Sequence, residues 1–304
     1  MQLIRACFND FDLFNKSVID WELDFRLLSK NDFSARLNMF SSETFTLGRT
    51  SLNGKIEQRG LTPAGFVTIV IPANYDSNYI WLNKKVTGRE LLIFPKDRTL
   101  DAVSFSDFDN YAISIEEKLL FHTVENLGYH NCKKLTTGNE KVLFLSKEFS
   151  LTFHQLADDF LNTKITNQKQ HNILINNIIH KLLKYIERSN QHDFFIPQKK
   201  KDIALRKAVD VINNQSENVL SIQQLCKLVG VCERTLQYAF NSKYQVSPCE
   251  YIKAVRLNKV KRELFLLKDQ NINISTLAGK YNFWHMGQFA KDFKLQFGML
   301  PSEI

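Results

Sequence analysis

Four polar residues in one short stretch have side chains that can read nucleic acid. The stretch from Leu220 to Phe240 reads LSIQQLCKLVGVCERTLQYAF. An arginine can donate two hydrogen bonds to guanine and a glutamine can pair with adenine, while hydroxyl groups can reach base edges or phosphates. The candidate reading residues of this stretch are Arg234, Thr235, Gln237 and Tyr238.

The residues around them predict two short helices joined by a tight turn. Ser221, with Gln224 three residues later, is a capping box that starts the first helix. Gly230 stands where the turn needs a residue that adopts positive φ. In the second helix Leu236 and Phe240 recur at helical spacing and should be buried, so the polar residues face outward. This pattern is typical of a helix-turn-helix. For Tyr238, packing between helices stays open as an alternative.

A second, altered copy of the pattern follows downstream. Asn273–Tyr281 predicts a short amphipathic helix and Trp284–Phe297 a longer one, in which Phe289 and Phe293 belong to the core. A helix that starts at the capping box of Ser247 and Glu250 would separate the two copies by roughly one turn of DNA. The candidate reading residues of the second copy are His285, Met286, Gln288 and Lys291.

The C-terminal part of the chain resembles the AraC/XylS family of bacterial transcription regulators. The resemblance rests on Leu220–Phe240, on Tyr251–Leu257 and on the run from Asn282 to Phe289 with the terminal Phe297-Gly-Met-Leu-Pro301. A narrower similarity, confined to DNA-binding residues, links the chain to the ethanolamine-utilisation regulator branch. The family usually has glycine where this chain has Asn282, a residue that still tolerates the left-handed conformation.

The resemblance implies how such a domain acts. Each second helix enters a major groove on the same face of double-stranded promoter DNA, in successive turns. RNA polymerase is then the expected protein partner, a small molecule the possible effector, and activation the commoner outcome. The second copy has no arginine on its outer face, so we expect it to be less base-specific than the first.

The charge distribution agrees with a DNA-binding C-terminal part. The net charge is +8; residues 197–304 contain 17 Lys and Arg against 9 Asp and Glu, whereas residues 1–196 contain 23 of each. All the excess positive charge therefore lies on the segment with the two copies. Such an excess is the electrostatic signature of phosphate binding.

The N-terminal part predicts a β-rich domain. Eight candidate strands with turn signals between them favour a closed barrel or jelly roll, similar to the cupin-like sensor domains of the family. The fold class is therefore α+β, with trailing helices from about residue 116 and an all-α C-terminal domain. The predicted strands are Ala35–Phe40, Phe45–Ser51, Lys55–Arg59, Phe66–Ile71, Tyr79–Leu82, Glu90–Phe94, Leu100–Phe105 and Tyr111–Ile115.

The interior of that barrel could hold a small molecule. No histidine precedes His122, so a His-rich metal site of the enzymatic cupin type is not expected, and no metal or cofactor is predicted. Arg49 or Arg59 could read a polar group, and the alternative is that the arginines are solvated and the aromatic residues fill the core. The aromatic candidates for the cavity wall are Phe40, Phe45, Phe66, Tyr79, Trp81 and Phe94.

Two helices and a linker complete the expected organisation. In residues 168–188, Ile175, Ile179, Leu182 and Ile186 recur at a spacing that suits either a homodimer seam or packing on the barrel wall. Residues 191–201 are polar and read as a linker. The expected domains are thus a sensor or dimerisation domain at 1–190 and the DNA-binding domain at 202–304.

Other classes of protein fit less well. The chain has no GxSxG, GxGxxG, Walker A or HExxH sequence, so an enzyme is not expected. Five scattered cysteines, no signal-peptide pattern at the start and no apolar run of membrane-spanning length predict a cytoplasmic protein. Within the regulator class, the alternative is a ligand-independent protein whose N-terminal domain only contacts other proteins.

Overall fold

In the computed structural model the chain forms a two-sheet β domain with packed helices, followed by an all-helical part. Every strand pairing in the described part of the chain is antiparallel. The structure describes residues 2–18, 21–30, 33–135, 140–163, 168–189, 192–193, 199–217, 220–267 and 273–304.

The strands divide between an eight-stranded and a five-stranded sheet. The larger sheet has the order β1-β3-β4-β11-β6-β9-β12-β13, and the smaller one the order β2-β5-β10-β7-β8. The strands are β1 Gln2–Phe8, β2 Glu22–Leu27, β3 Ser34–Ser41, β4 Phe45–Asn53, β5 Ile56–Leu61, β6 Phe66–Pro72, β7 Asn78–Trp81, β8 Lys84–Thr87, β9 Glu90–Phe94, β10 Thr99–Ser104, β11 Phe108–Glu116, β12 Lys141–Phe144 and β13 His192–Asp193.

Of the two predicted alternatives, the barrel is wrong, because neither sheet closes on itself. Two separate antiparallel sheets do not contradict the jelly roll. All eight predicted strands exist, but β5, β7 and β10 belong to the smaller sheet and the other five to the larger one. Within residues 2–116, three further strands, β1, β2 and β8, were not predicted. β4 and β5 are consecutive in the chain, yet they lie in different sheets, so the turn at Gly54 carries the chain from one layer to the other.

The larger sheet is buried on both faces. Its side chains alternate, as strand geometry requires. In β11, Asn110 and Ala112 face the cavity between the sheets, while Tyr111, Ile113 and Ile115 face the helices. The helices that cover this outer face are α2 Glu117–Leu127, α3 Lys147–Asn162 and α4 Gln168–Arg188, and a short helix α1 Phe11–Ser17 lies near the start of the chain.

Alternation also decides which predicted cavity residues line the cavity. Tyr79, Trp81 and Phe94 are in its wall. Phe40 and Phe45 point the other way and meet the ring of Phe160 in α3 edge to face, with centroids 5.1 and 6.0 Å apart. Phe66 is not among the lining residues. The two arginines are elsewhere as well: Arg49 pairs with Asp109 and Asp158, and Arg59 with Asp210.

Helix α4 packs on the sheet. The four residues proposed for the seam are 7% exposed or less and belong to the core that this helix shares with the sheet. Packing on the domain wall is therefore the arrangement found for this apolar stripe. A homodimer through 168–188 stays a prediction.

The described residues of the C-terminal part contain six α-helices. The first begins at Lys200, close to the predicted position near Asp202; most of the proposed linker, residues 191 and 194–198, lies outside the described residues. The helices are α5 Lys200–Asn214, α6 Ile222–Val229, α7 Glu233–Tyr244, α8 Pro248–Leu266, α9 Ile274–Lys280 and α10 Met286–Phe297.

The smaller sheet docks directly on the C-terminal helices. Glu57 of β5 is fully buried and accepts hydrogen bonds from the hydroxyls of Tyr244, at 3.1 Å, and Tyr251, at 2.8 and 2.9 Å. Asn258 of α8 accepts a hydrogen bond from the backbone N–H of Leu27 and donates one to its carbonyl. These buried contacts join the two parts into one packed unit.

Within the described residues, no helix combines the length and the apolar character needed to cross a membrane. In the same part of the chain, His, Cys, Asp and Glu side chains form no group of three or more that could bind a metal ion.

Candidate nucleic-acid interface

Helices α6 and α7 form a pair held by local hydrogen bonds that the sequence predicted. The Ser221 hydroxyl accepts from the backbone N–H of Gln224 at 3.2 Å, and the Gln224 side chain accepts from the backbone N–H of Ser221 at 2.9 Å. Gly230 adopts φ 74°, and its backbone N–H donates to Cys226. The capping box and the turn are therefore both present, and they fix the end of α6 relative to the start of α7.

The inner side of α7 is fixed by packing. Leu236 and Phe240 are fully buried, as predicted. The Phe240 ring meets that of Tyr251 in α8 with centroids 5.1 Å apart, in an edge-to-face arrangement that aromatic pairs favour. Because this side cannot rotate away from the core, the opposite side of α7 faces outward.

The outward side carries three of the four predicted reading residues as exposed side chains. Arg234 and Gln237 are exposed, and Tyr238 is 62% exposed, so its alternative placement between helices is wrong. The Lys201 ammonium lies 4.8 Å from the centre of the Tyr238 ring, within range of a cation–π contact. Gln237 donates to Glu233 at 3.1 Å, which positions its amide along the helix surface.

Thr235 is half-buried and turns toward the start of the same helix. Its hydroxyl lies 3.2 Å from the thiol of Cys232, the residue that precedes α7. This hydrogen bond, together with the backbone N–H groups at the helix start, lowers the pKa of the Cys232 thiol. Thr235 therefore contacts the residue that precedes α7 and also lies beside the reading face.

Helices α9 and α10 form the second pair. Asn282 adopts φ 64°, the left-handed conformation that the turn was expected to need, and donates from its side chain to the carbonyl of Glu217 at 2.8 Å. Phe289 and Phe293 are 2% and 0% exposed, as predicted for core residues. Asparagine thus replaces glycine here without loss of the turn.

The outer face of α10 differs from that of α7. His285, which precedes the helix, and Gln288 and Lys291 are exposed. Met286 is half-buried and packs against the apolar cluster of α8, α9 and α10, so part of its side chain serves the core. Among the predicted residues, the second face therefore exposes one cation, one imidazole and one amide, and α10 has no arginine.

Helix α8 connects the two pairs. Its 19 residues correspond to a length of about 28 Å. An ion pair of 3.1 Å between Lys253 of α8 and Asp292 of α10 ties the connecting helix to the second pair. A cleft between the pairs is lined by Ser221, Lys253 and Arg256, and burial lowers the pKa of the Arg256 guanidinium.

The excess positive charge of the C-terminal part is divided between two tasks. Lys243 binds Asp101, Lys261 binds Asp12, and Arg262 pairs with Asp24, so these three cations hold the N-terminal domain. The structure thereby corrects the interpretation that the whole excess is available to phosphates. Other cations of this part are exposed: Lys200, Arg206, Lys207, Lys227, Arg234, Lys291 and Lys294.

Two residues of this surface were not singled out as reading residues from the sequence. Trp284, two residues before the start of α10, is 71% exposed. Lys201, in α5, reaches the Tyr238 ring from a different helix. A tryptophan beside a candidate reading helix can be recognised in the sequence. The contact between Lys201 and Tyr238 joins two separate helices, so no local sequence pattern predicts it.

Comparison with known proteins identifies the same region. Residues 225–304 match the family model described as a helix-turn-helix domain. The chain is 30% identical over 99 residues to the probable thc operon regulatory protein of Rhodococcus erythropolis, a match that covers 33% of this chain and 30% of that protein. It is 22% identical over 225 residues to the XylDLEGF operon transcriptional activator 1 of Pseudomonas putida, and this match covers 70% of this chain and 64% of that protein.

A solved structure is also similar. The AraC-like transcriptional activator CuxR has 14% sequence identity and a TM-score of 0.44, and the alignment covers 84% of this chain and 94% of that one. The chain spans less than two thirds of the length of the two curated relatives. By the match to the family model, residues 225–304 form a helix-turn-helix domain.

Proposed function

We propose that this chain is a sequence-specific DNA-binding transcription regulator of the AraC/XylS type, and not an enzyme. One observation carries the proposal: within a segment that matches a helix-turn-helix domain, α7 has its apolar side locked in the core and holds Arg234, Gln237 and Tyr238 outward. A helix so oriented presents base-reading groups to a major groove. Relatives with this type of domain are described as operon regulators.

The proposal includes a role for each reading residue. In the first pair, Arg234 and Gln237 would contact base edges, with Thr235 and Tyr238 beside them. In the second pair, Gln288 and Met286 would contact bases, and His285 and Lys291 would contact phosphates. The two pairs, joined by α8, would occupy successive major grooves on one face of promoter DNA.

The wider setting is part of the same proposal. The regulator would act in the bacterial cytoplasm, as an activator that contacts RNA polymerase. The similar protein of Pseudomonas putida is named an operon transcriptional activator. The DNA-contacting residues would resemble those of the ethanolamine-utilisation branch, with no effector carried over from it. The N-terminal domain would sense a small molecule, and its uncharged cavity favours this role over a purely ligand-independent one.

Selection of bound duplexes from a random pool tests the proposal. The full chain would be used at two salt concentrations, with Arg234→Ala and the control Lys118→Ala in parallel. Lys118 is exposed on α2 of the N-terminal domain, so the control removes one positive charge at a distance from α7. We expect an asymmetric site spanning about two major-groove turns, relaxed by Arg234→Ala and kept by Lys118→Ala.

A different result would contradict the proposal. If the full chain bound only in a salt-sensitive way and yielded no consensus, the basic surface would explain all of the binding. The role as a sequence-specific regulator would then be wrong.

A further inference from the structure

The cavity between the two sheets has a wall without charged side chains. Its volume is about 100 Å³, and aromatic residues such as Trp21, Trp81 and Phe94 form much of the wall. No Asp, Glu, Lys, Arg or His is among the described residues that line it. A cavity of about 150 Å³ in another protein holds benzene, so this one suits a ligand of roughly six non-hydrogen atoms or fewer.

Three polar side chains in this wall are buried without a hydrogen-bond partner among the described residues. They are the amide nitrogen of Gln58, the hydroxyl of Tyr79, and both polar atoms of the Asn110 amide. Their residues are 6%, 4% and 4% exposed. A buried polar group with no partner destabilises a fold, so a cluster of them around one cavity indicates a bound polar group.

The three side chains come from both walls. Asn110 belongs to β11 of the larger sheet, opposite Thr50 and Pro72. Gln58 and Tyr79 belong to β5 and β7 of the smaller sheet. Together they offer donors from Gln58, Tyr79 and Asn110 and an acceptor from Asn110, so one small group that both donates and accepts could pair with them.

We propose that this cavity is a binding site for a small neutral molecule with an amide, hydroxyl or carbonyl group, held by Gln58, Tyr79 and Asn110. An anionic ligand such as a carboxylate would lose its hydration in a wall that supplies no cation, and burying an unpaired charge is strongly unfavourable. Burial raises the pKa of Tyr79, so its hydroxyl stays neutral and available as a donor.

Strand β5 connects this cavity to the C-terminal helices. Gln58 faces the cavity, while its neighbours on either side, Glu57 and Arg59, face the other way. Glu57 accepts from Tyr251 at 2.8 Å, and Arg59 pairs with Asp210 at 3.5 Å. A ligand that moves Gln58 would therefore move the strand to which the DNA-binding part is anchored. This effect on DNA, unlike the binding itself, rests on the proposed function.

Isobutyramide and isobutyrate make a matched pair of probes, equal in shape and different in charge. The full chain with Trp284→Phe would be titrated by fluorescence, because the two remaining tryptophans, Trp21 and Trp81, both line the cavity. We expect isobutyramide to change the fluorescence saturably and to raise the melting temperature, and isobutyrate to do neither. Isobutyramide that fails to bind up to its solubility limit, or isobutyrate that binds equally well, would overturn the proposal.

Asn110→Leu tests the polar cluster itself. It should weaken isobutyramide binding by about tenfold or more without lowering the melting temperature of the ligand-free protein, since it removes an unpaired polar group. The control Asn177→Leu, on the exposed side of α4, should leave binding unchanged. A lower melting temperature for ligand-free Asn110→Leu would mean that the amide is paired in the unliganded protein, and would contradict the proposal.

DNA affinity measured with and without isobutyramide separates the two proposals. Wild-type protein that recognises a selected site in the absence of the amide establishes the regulator role by itself. A change of affinity when isobutyramide is added supports the connection through β5. Ligand binding with unchanged DNA affinity would overturn that connection, while the binding site and the regulator role would both stand.

Discussion

At the scale of single residues, α7 presents a side chain suited to bases and α10 presents one suited to phosphates. Arg234 is exposed, and its guanidinium matches the two acceptors of guanine. Lys291 on α10 is a flexible point charge, which suits phosphate contacts. The planar guanidinium of Arg234 and the point charge of Lys291 should therefore differ in their effect on sequence specificity.

We expect Arg234→Ala to weaken binding to a selected site by about 1–3 kcal/mol and to leave binding to random DNA nearly unchanged. Lys291→Ala should weaken both and reduce the salt slope by about one. Fluorescence anisotropy at several salt concentrations measures both quantities. Equal losses on selected and random DNA for Arg234→Ala would place Arg234 among the phosphate contacts.

At the scale of elements, local signals were predictable and pairings were not. The capping boxes at Ser221 and Ser247 and the turn at Gly230 depend on a few neighbouring residues, and all three are found. The separation of β4 and β5 into different sheets depends on partners far along the chain. Alternation alone gave the strands but could not say which strand lies beside which, so the closed barrel was predicted in error.

The turn before α10 provides a test at the same scale. Alanine adopts the left-handed conformation of φ 64° at a greater cost than asparagine, and Asn282→Ala also loses the hydrogen bond to Glu217. This variant should therefore lower the free energy of unfolding by about 1–2 kcal/mol. Asn282→Gly keeps the conformation and loses only the hydrogen bond, so its loss should be smaller. Urea denaturation of the wild type and the two variants ranks their free energies of unfolding. Equal losses for the two variants would show that the hydrogen bond, and not the conformation, stabilises the turn.

At the scale of the whole molecule, composition does not show which partner each charged residue binds. The positive excess of the C-terminal part was correctly located, but Lys243 and Lys261 are 5% and 2% exposed and bind acids of the N-terminal domain. Counts along the chain cannot distinguish a cation that meets phosphate from one that meets a carboxylate of another domain. The docking of the two parts was the largest feature that the sequence did not predict.

Asp24 should make this docking sensitive to acid. Burial by itself would raise its pKa, but Arg26 and Arg262 outweigh burial and hold the pKa below its usual value. A lowered folded-state pKa stabilises the protein above the unfolded value, and this contribution is lost as pH falls through the folded value. Urea midpoints of wild type should therefore drop between about pH 5 and pH 3 more steeply than those of Asp24→Asn.

The control for this prediction is Asp76→Asn, which changes an exposed acid away from the docked surface. Its midpoints should follow those of wild type over the same range. Parallel pH profiles for wild type and Asp24→Asn would mean that the two arginines do not stabilise the ionised Asp24 carboxylate.

The buried carboxylate of Glu57 leads to the last prediction. It is held by Tyr244 and Tyr251, and burial raises the pKa of both hydroxyls, so they remain neutral donors. Tyr251→Phe removes two of the contacts and leaves a charge with fewer donors, which should cost about 1.5–3 kcal/mol. Because this loss falls on the docked surface, we expect unfolding in urea to separate into two transitions.

Tyr281→Phe is the matched control, since it removes a tyrosine–carboxylate contact, that of Tyr281 with Glu263, within the C-terminal part. It should lower stability while unfolding remains a single transition. If Tyr251→Phe also unfolded in one transition, with no greater loss of stability than Tyr281→Phe, the contact of Glu57 with Tyr251 would have no special part in docking the two domains. The docking would then depend on its ion pairs, of which Lys261 with Asp12 is the most buried and so the first to test.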